Sequence, residues 1–567
     1  MRLLFNARIY TLNPDLPIAS AIAIDGGRLL AVGTDEAILA EFGGNRIGQA
    51  GVRSAASPLS CNMDGKAIIP GLTDAHIHLQ QYALGLQKID CETPSRAECL
   101  ERVAERARNT PRGGWILGHG WNQNDWPEGF GTAADLDSIA PEHPVYLTAK
   151  SLHAAWANSA AFHLAGITAQ TPDPDGGRLQ HHENTSLTGI LFETAMALVS
   201  QAIPEPTLSQ IVQAIQAAQP RLWRMGLTGV HDFDRQPCFS ALQVLHQRGE
   251  LGLRVVKSIP IEALSHAVEL GLRSGFGDDF LRIGSVKAFA DGALGPRTAA
   301  VLQPYVGEPD NRGILMLDAE ELFERGRLAV ENGLSLAVHA IGDRANHEVL
   351  TAYAQLRELE SKLGPSGSKT GGTVSHPPLR HRIEHVQIIH PDDAPRLAAL
   401  DVIASMQPIH ATSDFPAADR YWGEHAAHSY AWRTLLDFST RMAYGSDAPV
   451  DSPNPFWGLH AAVTRRRQDG SPGPDGWYPA QRLSLNEALY GYTAGAAYAA
   501  GMENRLGRLA PGYLADLVVL DRDPFSCEVD EIRHIQPLAT MVGGEWVYFN
   551  SPVSASVSSG AHPPPAP

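Results

Sequence analysis

Eight short apolar runs, each followed by a stretch of helical periodicity, restrict this chain more than any other feature. In chain order they are AIIPGLTDAHIH, LTGVHDF, LRVVKSI, RIGSVKAFAD, LSLAVHAIGD, HRIEHVQ, DVIASMQ and RMAYGSDAP. Strands that alternate with helices build a parallel sheet, because parallel neighbours need a crossover connection and a helix supplies it. Eight such units are what a closed (β/α)8 TIM barrel requires, so the expected fold is α/β with the barrel over residues 67–500.

Two features exceed a plain barrel. The first two runs are separated by roughly residues 80–225, far more than one helix with its loops, and the gap holds strand-like pieces of its own, WILGHG and PVYLTAK. That stretch reads as an inserted subdomain after barrel strand 1. The chain ends are β-rich as well: residues 1–66 carry AIAIDGGRLLAVG, a hairpin signal around Asp25-Gly26-Gly27, and residues 501–550 carry RLGRLAPGYLADLVVLDRDP and ATMVGGEWVYF. A small β-sandwich-like domain built from both termini is expected, followed by a disordered tail over 551–567.

Composition removes several classes of function. Acids outnumber bases to a net charge of −17, whereas phosphate contacts need clustered Lys and Arg, which argues against a nucleic-acid partner. No run reaches the roughly 18 apolar residues of a membrane span, and the start, MRLLFNARIYTLNP, lacks the long apolar core of an export signal. The cysteines, 5 in number and without a CxxC spacing, suggest neither a disulfide framework nor a zinc knuckle. A cytoplasmic protein acting on a small-molecule substrate, with no membrane partner, is the expectation.

The strongest local signal for chemistry is His76-Ile77-His78 at the end of the first run. Residues i and i+2 of a strand share a face, so both imidazoles can reach one metal ion from inside a barrel. Such a pair also arises by chance among 23 histidines. The argument sharpens with position, since Lys287, His339, His385 and Asp447 fall at or near the C-terminal ends of runs four, five, six and eight. That is the end of a barrel at which active sites are assembled. Each residue alone has a bland alternative, a hydrogen-bonded core histidine or an aspartate capping the next helix; Lys287 in particular could pair with Asp291.

The order of these residues resembles that of the amidohydrolase superfamily. The segments PGLTDAHIHL, GWNQNDW, VKAFADGALGPRTA, HAIGDRAN, RIEHVQ, SMQPIH and GSDAPV are similar to its branch of YtcJ-like proteins and N-substituted formamide deformylase. The resemblance implies two divalent metal ions, with zinc as first choice: His76, His78 and Asp447 on one, His339 and His385 on the other. It further implies a carbon dioxide-derived carbamate on Lys287 as the bridge. A carbamate offers two anionic oxygens where an ammonium would repel cations. Hydroxide formed between the metals would be the nucleophile, with Asp447 as general base and acid. The implied reaction is hydrolysis of a non-peptide C–N bond. A mononuclear deaminase, an ester or lactone hydrolase, and a catalytically inactive binding protein are the alternatives, and a homodimer is left open.

Substrate contacts are more weakly marked. Trp121 and Asp125 in GWNQNDW combine an apolar face with a polar group, and His153, Arg297 and His410 are further candidates. Each could equally be a packed ring or a surface ion pair.

Overall fold

The computed structural model describes residues 1–43, 59–123, 126–150, 153–183, 186–363 and 379–550. Asp125 and the expected tail 551–567 lie outside the described residues. The chain forms two units, one of residues 1–82 and 215–567, the other of residues 83–214.

The larger unit holds an eight-stranded parallel sheet in chain order: β1 (Leu72–Ile77), β2 (Leu227–Asp232), β3 (Arg254–Pro260), β4 (Leu281–Phe289), β5 (Leu336–Ala340), β6 (Arg382–His385), β7 (Ile403–Met406) and β8 (Met442–Tyr444). All eight correspond to the apolar runs. Strands β1, β2, β6 and β7 are buried along their whole length, as parallel strands covered on both faces must be, which is why they read as continuous apolar runs rather than alternating ones. The sheet closes where Ile77 bridges Ala448, completing the (β/α)8 barrel.

One run proves to be two strands. AIIPGLTDAHIH divides at Gly71: Ala67–Pro70 pairs with Arg8–Tyr10 and Leu517–Leu520, whereas β1 joins the barrel. A Cβ at Gly71 would lie 2.4 Å from Thr228 Oγ1, so the chain passes from one sheet to the other only without a side chain.

The strand Ala67–Pro70 belongs to a six-stranded sheet that interleaves both termini, with Arg8–Tyr10 and Ile18–Ala19 on one side of it and Leu517–Leu520, Pro537–Val542 and Glu545–Phe549 on the other. A four-stranded sheet of Arg28–Gly33, Ala21–Asp25, Arg2–Phe5 and Leu59–Asn62 packs against it. Leu4, Ile22, Ile24, Ile68, Val519 and Met541 share one apolar core between the two sheets, the inner layer of a sandwich.

The helix Leu208–Arg224 falls inside the stretch read as inserted, yet its second half lies in the barrel unit. Gln219 there donates to Glu250 O and accepts from Gly252 N, and Trp223 donates to Gly252 O. The smaller unit contains a six-stranded sheet in the order Gly177–His181, Leu187–Glu193, Ala154–Ala157, Val145–Ala149, Ile116–Trp121, Ile89–Asp90. Its core is rich in tryptophan, with the Trp126 ring in contact with those of Trp121 and Trp156.

Arg254 at the start of β3 joins the barrel to the terminal sheet. Its Nε and Nη2 donate to Asp516 at 2.5 and 2.8 Å, both side chains are buried, and Asp516 also accepts from Gly543 N. Removing one partner of a buried pair strands the other charge, so Arg254→Ala should lower the unfolding free energy of the larger unit by about 3–5 kcal/mol. A urea midpoint equal to that of the wild type would contradict this.

Candidate metal centre

The C-terminal ends of β1, β4, β5, β6 and β8 bring the six polar residues of the sequence pattern together. His76 and His78 project from β1 with ring centroids 5.9 Å apart, and Asp447 Oδ1 lies 3.5 Å from His76 Nε2 and 3.4 Å from His78 Nε2. The His385 ring stands 4.9 Å from that of His76 and 4.5 Å from that of His339. Lys287 Nζ lies 4.9 Å from the Phe233 ring, which stacks on His76, and 4.8 Å from the Phe289 ring, which contacts His339. The lysine is therefore between the two histidine pairs.

Each histidine has one ring nitrogen tied to an acceptor, which fixes the other as the lone pair. His76 Nδ1 donates to Glu384 Oε2 at 2.6 Å, His78 Nδ1 to Asp234 Oδ1 at 3.2 Å and His385 Nδ1 to Gln407 Oε1 at 2.9 Å. In His339 the roles are reversed, since Nε2 donates to Gly292 O at 2.9 Å. The free atoms are thus Nε2 of His76, His78 and His385, and Nδ1 of His339. The three acceptor side chains Glu384, Asp234 and Gln407 were not singled out from the sequence. The only signal was their position at or just beyond a barrel strand end.

Backbone geometry sets Asp447. Its φ of +58° lies in the left-handed region that side-chain-bearing residues rarely occupy, and His385 has φ +77°. Asp447 N donates to His76 O at 2.7 Å. The preceding Ser446 is held through its N and Oγ by Asp74 at 3.0 and 2.5 Å. Gly445 passes so close to β1 that a Cβ there would meet His76 N at 2.4 Å.

Burial favours the neutral form of three of the four imidazoles, the form that can bind a cation. His76 is held well below the ordinary histidine range by burial and then by the Lys287 charge. Burial and neighbouring His339 do the same to His385, and burial with Lys287 brings His339 down to about 3. His78 moves the other way: burial would lower it, but the carboxylates of Asp234 and Asp447 outweigh that and raise it. Burial lowers Lys287 to about 8 and raises Asp447.

The residues fit a metal centre by two further observations. Ligand atoms of His76, His385 and Asp447 lie within 4.8 Å of one another. Lys287 Nζ and Asp447 Oδ1 are both buried without a hydrogen-bond partner, a costly state for groups whose only role is packing. The alternative pairing of Lys287 with Asp291 does not form, because Asp291 spends its carboxylate on the backbone N–H groups of Ala300, Ile341 and Gly342. The other acidic cluster among the described residues, Asp232, Asp234 and Cys238, already holds a cation, with Lys257 Nζ 2.9 Å from Asp232.

The weaker candidates are dispersed. Trp121 is 1% exposed in the core of the smaller unit, its Nε1 donating to Leu147 O, so it packs that core rather than lining an open wall. His153, in the same unit, is 72% exposed with Nδ1 3.0 Å from Glu193. Arg297 is 38% exposed and paired with Glu308 at 3.0 Å, its guanidinium over Tyr421. His410 alone among them adjoins the cage, its ring stacked on His385 at 6.1 Å.

An eight-stranded barrel with an HxH strand, a strand-four lysine, two further histidines and a final aspartate defines a class of metal-dependent hydrolases. The amidohydrolase family model matches residues 61–548, and this chain belongs to that family, in its YtcJ-like branch. It is 33% identical to Protein LONG AFTER FAR-RED 3 of Arabidopsis thaliana, over 96% of this chain and 91% of that protein. It is 31% identical to the putative amidohydrolase YtcJ of Bacillus subtilis (96% and 98% covered) and 29% identical to the N-substituted formamide deformylase of Arthrobacter pascens (96% and 97%). Among solved structures, an uncharacterized metal-dependent hydrolase from Pyrococcus furiosus superposes with a TM-score of 0.74 at 29% identity, covering 93% of this chain and all of that one.

The hydrogen bond from His385 to Gln407 should matter for metal retention. Gln407→Leu keeps the side-chain size but removes the acceptor, and metal affinity should fall about 10- to 100-fold. Competition against a chelator measures it, and wild-type affinity in the variant would remove Gln407 from the ligand-orienting set.

Proposed function

We propose that this chain hydrolyses a non-peptide carbon–nitrogen bond in an amide, formamide or cyclic amide. The observation that carries the reading is Asp447 Oδ1, buried, without a donor, and within 3.5 Å of both β1 histidines. The formamide named for the Arthrobacter relative points the same way. In this reading His76, His78 and Asp447 would hold one divalent ion, His339 and His385 would hold a second, and Lys287, as a carbamate, would supply anionic oxygen to them. Zinc suits this nitrogen-rich ligand set. Such ions, when bound, polarise a carbonyl and make water more acidic.

The chain's own residues supply the rest. Asp447 accepts the proton of the attacking water and delivers it to the departing nitrogen. Burial raises the Asp447 carboxyl, which makes it a better base than an ordinary carboxylate. Its strained backbone, bonded to His76 O and backed by Ser446 and Asp74, fixes the carboxylate against β1 so that proton transfer needs no side-chain search.

The reading is tested with protein prepared in the presence of divalent metal and bicarbonate. Elemental analysis should give about two ions per chain, and a panel of N-formyl amines, acyl amino acids and cyclic amides should contain a substrate. A metallated protein that turns over esters alone, or nothing, would overturn it.

Two variants separate the roles. Asp447→Asn should keep the fold and lower kcat by about 10² or more, since an amide cannot take the proton. Metal content measured alongside distinguishes loss of the base from loss of a ligand. Lys287→Ala should lose most of its metal and activity, and a short-chain carboxylic acid should restore part of both by filling the vacated bridge. An alanine variant with full metal and activity would rule out the bridge.

A further inference from the structure

We infer that His410 is a further catalytic residue, a hydrogen-bond donor toward the carbonyl oxygen of the scissile group. The inference rests on the amide-hydrolysis reading. His410 opens the helix Pro408–Trp422 directly after β7, and its ring lies nearly parallel to that of His385, at 11° and 6.1 Å. It is buried, and among the described residues no acceptor lies within hydrogen-bond reach of its Nε2.

The proton position follows from its neighbours. Gln387 Nε2 donates to His410 Nδ1 at 3.5 Å, which leaves the ring proton on Nε2. On the Nε2 side stands Asp451, with Oδ2 at 3.8 Å, beyond hydrogen-bond reach but near enough that a lone pair there would face a carboxylate. Asp451 is itself engaged by Ser413 Oγ at 3.0 and 3.1 Å. His410 Nε2 is thus a buried donor with no acceptor, the arrangement expected of a group reserved for charge that develops only during reaction.

Position relative to the cage agrees. The His410 ring faces that of His385, and its Nε2 lies 3.8 Å from Asp451, four residues beyond Asp447. The donor therefore borders the same space as the nucleophile's base, from the β7 side, which no other residue of the six-membered set occupies. Its two orienting neighbours, Gln387 and Asp451, belong to the segments just after β6 and β8.

Two variants test the role. His410→Phe keeps a flat ring and removes the donor, and His410→Gln returns a donor of different reach. Bound metal should be unchanged in both. Methylphosphonate, a tetrahedral oxyanion, should bind the metal-loaded Phe variant about tenfold or more weakly by calorimetry. On the panel amide that the wild type hydrolyses best, kcat should fall about 10²–10³-fold in the Phe variant with KM little changed, and the Gln variant should recover part of both losses. A Phe variant with wild-type kcat and phosphonate affinity overturns the assignment, and so does one that loses its metal, which would make His410 a support of the cage. Should the wild type hydrolyse no amide, the amide reading fails while the phosphonate comparison still decides whether His410 is a donor.

Discussion

The centre depends on the seam where the barrel closes. Between β8 and β1 there is no regular ladder, only the Ile77–Ala448 bridge and the bonds His78 N to Ala448 O and Asp447 N to His76 O. What locks them is the buried carboxylate of Asp74, which accepts from His76 N, Ser446 N and Ser446 Oγ. Three donors on one carboxylate, away from water, make a stiff joint. The two residues it ties together immediately precede Asp447 and begin the HxH pair, so the closure of the fold and the assembly of the site are one event.

A second buried network stands beneath the cage. Glu384 accepts from His76 Nδ1 and from both Nε and Nη2 of Arg382, and Arg382 also donates to His231 Nδ1, Ala75 O and Ser405 Oγ. The Arg382 charge holds the Glu384 carboxyl below its ordinary range even though burial opposes that. An ionised Glu384 makes His76 a stronger electron donor than a neutral acceptor would. Removing Arg382 would leave a buried anion, and removing Glu384 a buried guanidinium, so neither can be lost singly at low cost. This explains how a polar cluster can be buried among the barrel strands.

The barrel and its ligand candidates were legible because their signals are local. Each apolar run has a strand's length, and His76, Lys287, His339, His385 and Asp447 stand at run ends. What was not legible depends on three-dimensional proximity. Asp234 meets His78 across 156 positions and Glu384 meets His76 across 308, and no periodicity carries such pairings. Gly71 was hidden for a related reason: a glycine inside an apolar run reads as a weak strand residue, whereas Thr228 from the next strand decides that the chain must divide there. Trp121 failed in the opposite direction. Beside polar residues in GWNQNDW it suggests a pocket wall, but Trp126, Phe130 and Trp156 close round it as a core.

These two kinds of constraint differ in what they leave free. The strand ends and the acceptors beneath them hold the four imidazoles with little tolerance, because one nitrogen of each ring is bound to an acceptor, while Asp447 is set through its backbone bond to His76 O. The segments after β4 and β8 are less constrained: Ile314, Met316 and Val450 are exposed apolar side chains there, and Arg297 engages Glu308 and the Tyr421 ring. A change at such a position alters the surroundings of the cage without disturbing a ligand or its acceptor. At about 30% identity over nearly its whole length, this chain differs from its relatives at most positions, and the loop positions are where a difference costs the cage least.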